Sequence, residues 1–271
     1  MAGSSHYSGY SEQEDYPFRY IPGPSHQIPI PLSPNLAENF TYRGILMKVL
    51  GLIASPRGSE SRTLQLIKGV LSGADQAGAT TELVDIYKLH IEYCTACGTC
   101  YATGDCTLVD DFPALFEKMM NADGIVLGSP NYIDSVTAPL KAVFDRCADA
   151  IHCQMFTGKY GCSVCTAGGS NQDEVVKYMN HALTALGTTV IGGVGVAVGR
   201  DPSALSKAEH EAVELGKKLA RSVKEGTPYP GQDEIHQQRR GYFCQLIKAN
   251  RGVWKHEYDW WVEMGWITEE K

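Results

Sequence analysis

The sequence is short of positive charge: 24 lysines and arginines stand against 31 acidic residues, for a formal net charge of −7. With that balance no basic surface is available to neutralise a phosphate backbone or an anionic membrane, so nucleic acid is not an expected partner. No apolar run approaches the roughly 20 residues that a membrane helix needs. The opening MAGSSHYSGYSEQEDYPF has neither the basic nor the apolar region of a signal peptide. A soluble, cytoplasmic protein is therefore expected. The chain has no G-x-x-x-x-G-K-[ST] run, which excludes that kind of triphosphate loop. It has no Ser-His-Asp or Cys-His spacing suggestive of hydrolysis and no internal repeat. What is present is enough apolar sequence, 43% of 271 residues, to bury a full core. Nine cysteines, an odd count without export signals, fit metal or redox chemistry better than a disulfide framework.

Six of the thirteen prolines fall between Pro17 and Pro34, where neither a helix nor an interior strand can persist. Residues 1–43 read as an extended arm rich in proline and tyrosine. From Ile45 apolar runs alternate with amphipathic segments, the signature of β-α-β units around a parallel sheet. Strands are expected at 45–54, 80–86, 124–129, 160–167 and 188–198, with helices near 61–73, 110–121, 137–150, 172–186 and 206–224. Five interleaved strands predict a doubly wound α/β sandwich over 44–225. In such sheets ligands bind beyond the carboxyl ends of the strands, where strand order reverses. Residues 226–271 form an aromatic C-terminal extension holding all four tryptophans. It is expected to dock on the core or to form a subunit contact.

Three loops at the carboxyl ends of strands carry ligand chemistry. ASPRGSESRT (54–63) follows the first strand and leads into a helix starting near Ser61. Hydroxyls, a guanidinium and a helix N-terminus together suit a phosphate monoester, with Ser55, Arg57, Ser61 and Thr63 as its ligands. Helix capping by Ser61 is the simpler alternative, but capping needs no arginine. After the third strand, Pro130, Asn131 and Tyr132 offer a rigid turn, exposed amides and a flat side chain, which suits a planar aromatic ligand as well as it suits an ordinary turn. After the fourth strand, TAGGSNQDE (166–174) supplies glycines that let backbone approach a ligand closely.

At these residues the chain resembles the flavodoxin-like NAD(P)H-dependent FMN reductases, over about 47–200. The resemblance rests on S-P-R followed by Ser/Thr, on G-S-P-x-Y, and on the downstream K-x-x-x-D-R ending at Arg146. It implies that the first loop holds the FMN phosphate and that the turn of Pro130, Asn131, Tyr132 and Ile133 lies along the flavin ring. Thr166, Ala167, Gly168 and Gly169 would close its other side. The phosphate loop is about one residue longer before its threonine than in many relatives, which brings Ser59 into consideration beside Ser61 and Thr63.

Cys94, Cys97, Cys100 and Cys106 form C-x2-C-x2-C-x5-C within a loop at 91–109, after the second strand. Three cysteines at successive two-residue gaps can wrap one face of a cubane, and a fourth completes four thiolates. Zinc is the chief competitor, but structural zinc usually takes two well-separated C-x-x-C knuckles. Joined to the FMN motifs, this run makes the chain similar to the iron-sulfur flavoproteins. That resemblance implies FMN and one 4Fe-4S cluster in a homodimer or homotetramer, passing electrons between carriers such as ferredoxin and acceptors, with NAD(P)H as a further candidate donor. A rival reading is an NAD(P)H-dependent FMN or quinone reductase whose cysteines hold a structural metal. A third is a non-enzymatic subunit of a larger redox complex. Cys162 and Cys165, three apart in a strand, face opposite sides of the sheet and read as core. Cys147 and Cys153 beside His152 are expected to be buried thiols rather than a second metal site.

Overall fold

The structure is a computed structural model that describes residues 47–199 and 201–268; the proposed arm at 1–43 lies outside the described residues. Five strands, β1 (Lys48–Ile53), β2 (Thr80–Asp85), β3 (Gly124–Pro130), β4 (Tyr160–Ala167) and β5 (Thr189–Ala197), form one sheet in the order β2-β1-β3-β4-β5. Every pairing is parallel, with Leu50 opposite both Glu82 and Ile125, and Leu127 opposite Ser163. Central strands buried on both faces read as near-continuous apolar runs. KVLGLI and GIVLGSP are of this kind and are almost entirely buried.

Alternation divides the core in two. Leu50, Leu52, Ile125, Leu127 and Cys165 face a layer containing α3 (Phe112–Met120), α4 (Ala138–Arg146) and α6 (Gln172–Ala185). Val49, Ile53, Val126, Cys162 and Val164 face α1 (Arg62–Gln76) and α7 (Pro202–Glu225). The two cysteines of β4 thus lie on opposite faces, and burial pushes both thiols up to about 12. Helices α1 and α7 meet backbone to backbone. A methyl group added at Gly73 would collide with the carbonyl of Val213, and one at Gly216 with that of Val70.

The helix expected over 137–150 divides into α4 and α5 (Ala148–His152). At Cys147 the backbone leaves the helical well with ψ of 18°, and its N–H bonds three residues back to Phe144 rather than four. The loop between β2 and α3 contains α2 (Thr99–Thr103), enclosed by left-handed Gly98 and Gly104. Beyond α7, α8 (Pro230–Asn250) and α9 (Lys255–Glu263) build a smaller core of Phe243, Ile247, Trp261 and Ile267 against Cys153. The indole N–H of Trp260 donates to the Cys153 carbonyl (2.9 Å), and that of Trp261 to the His152 carbonyl (3.1 Å). The extension is therefore docked on its own domain. No helix among the described residues is long and apolar enough to cross a membrane.

Candidate functional site

Strand order reverses between β1 and β3, and in such sheets ligands bind beyond the carboxyl ends of the strands at that switch point. Buried hydroxyls fix its geometry. The Thr137 hydroxyl donates to the carbonyl of Ala54 at the end of β1 (3.0 Å), and the Thr137 N–H donates to Ser129 Oγ at the end of β3 (3.0 Å).

In the first loop Ser55 is buried, whereas Arg57 and the 3-10 turn Gly58–Glu60 are exposed. Ser61 caps α1, its side chain accepting from the Leu64 N–H at 3.1 Å while its carbonyl accepts from Gln65. A helix leaves its first four N–H groups without intrahelical partners, and the Ser61 side chain satisfies that of Leu64. Thr63 is buried, its hydroxyl 2.6 Å from that of Thr166 at the end of β4. Thus Ser61 and Thr63 already have protein partners, and Thr63 joins the first and third ligand loops.

The second loop is tied to the third as well. The Asn131 N–H donates to the Thr166 carbonyl (2.8 Å), the Asn131 amide to the Ser170 carbonyl (2.9 Å), and the Asn171 amide to Asp134 (2.8 Å). Pro130 ends β3; Tyr132 is half exposed. Ile133 and Asp134 both adopt left-handed backbone, with φ of 51° and 58°. A β-branched residue there is strained by about 1–3 kcal/mol. Reciprocal Tyr132–Ser135 backbone bonds hold the turn, and the Ile133 side chain is almost fully exposed at its tip. Ala167 is buried, while Gly168 and Gly169 are exposed with open space where side chains would be. Open backbone, a half-exposed aromatic and a helix N-terminus fit a flavin mononucleotide.

The cysteine loop leaves β2 at the same edge of the sheet, and a buried ion pair closes its base. Arg146 donates to both Asp110 carboxylate oxygens and to the Glu92 carbonyl (3.0 Å), and Asp110 accepts from the N–H groups of Glu92 and Phe112. Burial alone would raise the Asp110 pKa, but Arg146 and those N–H groups hold it below the ordinary carboxylate range. Asp111 makes a second tie, to His90.

Within the loop Ala96 (φ 55°), Gly98 and Gly104 are left-handed, which curls the chain on itself. The Ala96 N–H points at Cys94 Sγ (3.4 Å). Thr99 donors draw the Cys97 thiol down to about 7, whereas burial, followed by Asp149, Cys106 and Cys97, pushes Cys100 up to about 12. All four cysteines are free thiols. Cys97 and Cys106 lie close enough to Cys100 to act on its charge, and together with donors aimed at sulfur this fits an iron-sulfur cluster.

The cysteine helix also meets the C-terminal extension. Tyr101 stacks on His152 (centroids 4.7 Å apart) and packs on Trp254 (5.0 Å), while the His256 ring lies where a side chain on Gly104 would be. His152 Nδ1 pairs with Glu257 at 2.9 Å. Burial lifts the Glu257 carboxyl above its ordinary range even against His152. Sequence reasoning missed Asp110, Thr137, Asn171, Glu257 and His256. The D-R ending of the K-x-x-x-D-R run was the one signal pointing to Arg146.

A five-stranded parallel sheet in this order, with ligand loops at its switch point, defines a flavodoxin-like protein. The chain belongs to the NADPH-dependent FMN reductase family, whose model matches residues 47–203, and within it to the iron-sulfur flavoproteins. It is 33% identical to an iron-sulfur flavoprotein of Archaeoglobus fulgidus over 82% of this chain and 100% of that one. An iron-sulfur flavoprotein of Methanocaldococcus jannaschii is 31% identical over 66% of this chain and 98% of its own. Among solved structures, an NAD(P)H:quinone oxidoreductase from Methanothermobacter marburgensis superposes with a TM-score of 0.52 at 20% identity, covering 64% of this chain and 97% of that one. A flavone reductase superposes with a TM-score of 0.52 at 21% identity, over 66% and 63%. These two share the fold. Family membership makes the chain an FMN-dependent oxidoreductase.

Proposed function

We propose that the protein transfers electrons between a 4Fe-4S cluster on Cys94, Cys97, Cys100 and Cys106 and an FMN at the switch point, linking a one-electron carrier such as ferredoxin to a two-electron donor or acceptor. When bound, FMN supplies one- or two-electron chemistry and the cluster one-electron chemistry, so the pair would divide two-electron reductions into single steps. The observation that carries this reading is that the cysteine loop and the three ligand loops leave one edge of one sheet, tied to the core by Arg146, Thr137 and Thr63.

In this reading Ser55, Arg57 and the open N–H groups of α1 bind the phosphate, helped by the positive end of the helix dipole. Ser61 and Thr63 shape that cradle. Pro130, Asn131, Tyr132 and Ile133 border the ring on one side, and Thr166, Ala167, Gly168 and Gly169 on the other. Arg146, Asp110 and the N–H of Ala96 position the cluster loop. The description of the matching family supports NAD(P)H as a donor. Tyr93, Val109 and Ile133, large apolar side chains exposed on these loops, support a homodimer or homotetramer.

Iron, acid-labile sulfide and FMN analysis of anaerobically purified protein tests the proposal. About four iron, four sulfide and one FMN per chain are expected. Cys94→Ala is expected to lose the iron and keep the FMN. Zinc in place of iron would contradict the reading.

A further inference from the structure

Outside the proposed cofactor sites, the described residues contain one group of metal-ligating side chains: Asp149 and Cys153, on and just after α5, and His256 on α9, with their ligand atoms within 4.8 Å of one another. Cys153 Sγ lies 3.9 Å from Asp149 Oδ1, and His256 Nε2 lies 3.4 Å from Asp149 Oδ2. A tetrahedral ion bound at 2.0–2.3 Å needs ligand atoms about 3.5 Å apart, so small side-chain movements suffice.

We propose that Asp149, Cys153 and His256 form a divalent-metal site, of the thiolate-imidazole-carboxylate type that zinc prefers, which staples the C-terminal extension to the core beneath the cysteine helix. Cys153 is completely buried and Asp149 nearly so. His256 Nε2 is shielded from solvent yet makes no hydrogen bond, its approach to Asp149 being misaligned for one. Glu257, also completely buried, uses Oε1 on His152 and leaves Oε2 without a partner. Buried polar atoms of this kind need a partner, and a bound ion is one of the few available. A thiolate, a carboxylate and a neutral imidazole balance a 2+ ion in charge.

The mechanical consequence follows from where the ligands sit. Asp149 and Cys153 belong to the α/β domain, whereas His256 belongs to the extension, whose own core is small. The ion would hold the His256 ring against Gly104, within the span that carries the cluster cysteines.

The test uses holoprotein purified anaerobically with its full iron and sulfide, equilibrated with micromolar Zn2+, desalted and assayed for all three elements. Wild type is expected to retain one zinc per chain beyond the cluster iron. His256→Gln and Cys153→Ser are each expected to weaken zinc retention at least tenfold with iron and sulfide unchanged. His256 is partly exposed, so its variant carries the test if the buried Cys153 variant does not fold. A Cys94→Ala protein, lacking the cluster, is expected to retain the zinc. The proposal is overturned if wild type retains no zinc, if His256→Gln retains as much as wild type, if His256→Gln loses zinc and iron together, or if Cys94→Ala loses the zinc.

Discussion

Two buried contacts between residues distant in sequence hold the site. The Thr63–Thr166 bond spans 103 positions and joins the start of α1, beside the first loop, to the end of β4. Thr63→Val would leave the Thr166 hydroxyl buried without a partner, at about 1–3 kcal/mol, whereas replacing both partners by valine removes the orphan. Urea unfolding of the apoprotein should therefore show the double variant to be more stable than the sum of the two single changes predicts. The Asp110–Arg146 pair is almost fully buried, and removing one partner of such a pair costs about 3–5 kcal/mol. Asp110→Asn should lose stability by that order and retain less iron. Because the folded state holds the Asp110 pKa below its ordinary value of 3.8, its contribution is present above that value and lost as pH falls through the folded pKa. Stability measured from about pH 5 downward should fall more steeply in wild type than in Asp110→Asn. Neither contact was legible in the sequence, since spacing says nothing about which threonines or charges meet across a sheet edge.

Among the elements, the strands and long helices were legible because their periodicity is strong and their boundaries carry caps, prolines or glycines. The expectation over 172–186 corresponds to α6, and 206–224 to most of α7. The five-residue α2 was not legible, being shorter than two turns and defined by the glycines that enclose it. Nor was the break at Cys147, which rests on the balance between two hydrogen-bond lengths along one chain. Close packing of α1 on α7 depends on Gly73 and Gly216 lacking side chains. Gly216→Ala should force the helices apart at a cost of about 1–3 kcal/mol, a fall in Tm of about 2–4 °C per kcal/mol. A variant that melts with wild type would show that the two backbones do not approach this closely. The aromatic extension was expected to dock on the core or on a neighbour. It docks on its own domain through the Trp260 and Trp261 indole bonds.

In the whole molecule, one sheet edge collects the loops bearing both proposed cofactors, and the family supplies the flavin chemistry. The ligand types were legible in short motifs: C-x2-C-x2-C-x5-C, S-P-R and G-S-P-x-Y. Their convergence on that edge follows from the parallel topology, which the alternation of apolar and amphipathic segments also announced. What the sequence did not disclose is the polar network between the cysteine helix and the extension, because His152, Asp149, His256 and Glu257 are brought together only by folding. The proposed function requires that electrons pass between cluster and flavin. Anaerobic reduction of the purified holoprotein, followed simultaneously by the visible absorption of FMN and the electron paramagnetic resonance of the cluster, tests it most directly. Stoichiometric reduction of the flavin should be accompanied by a changing cluster signal as electrons redistribute. A cluster signal that stays constant while FMN is fully reduced would contradict it.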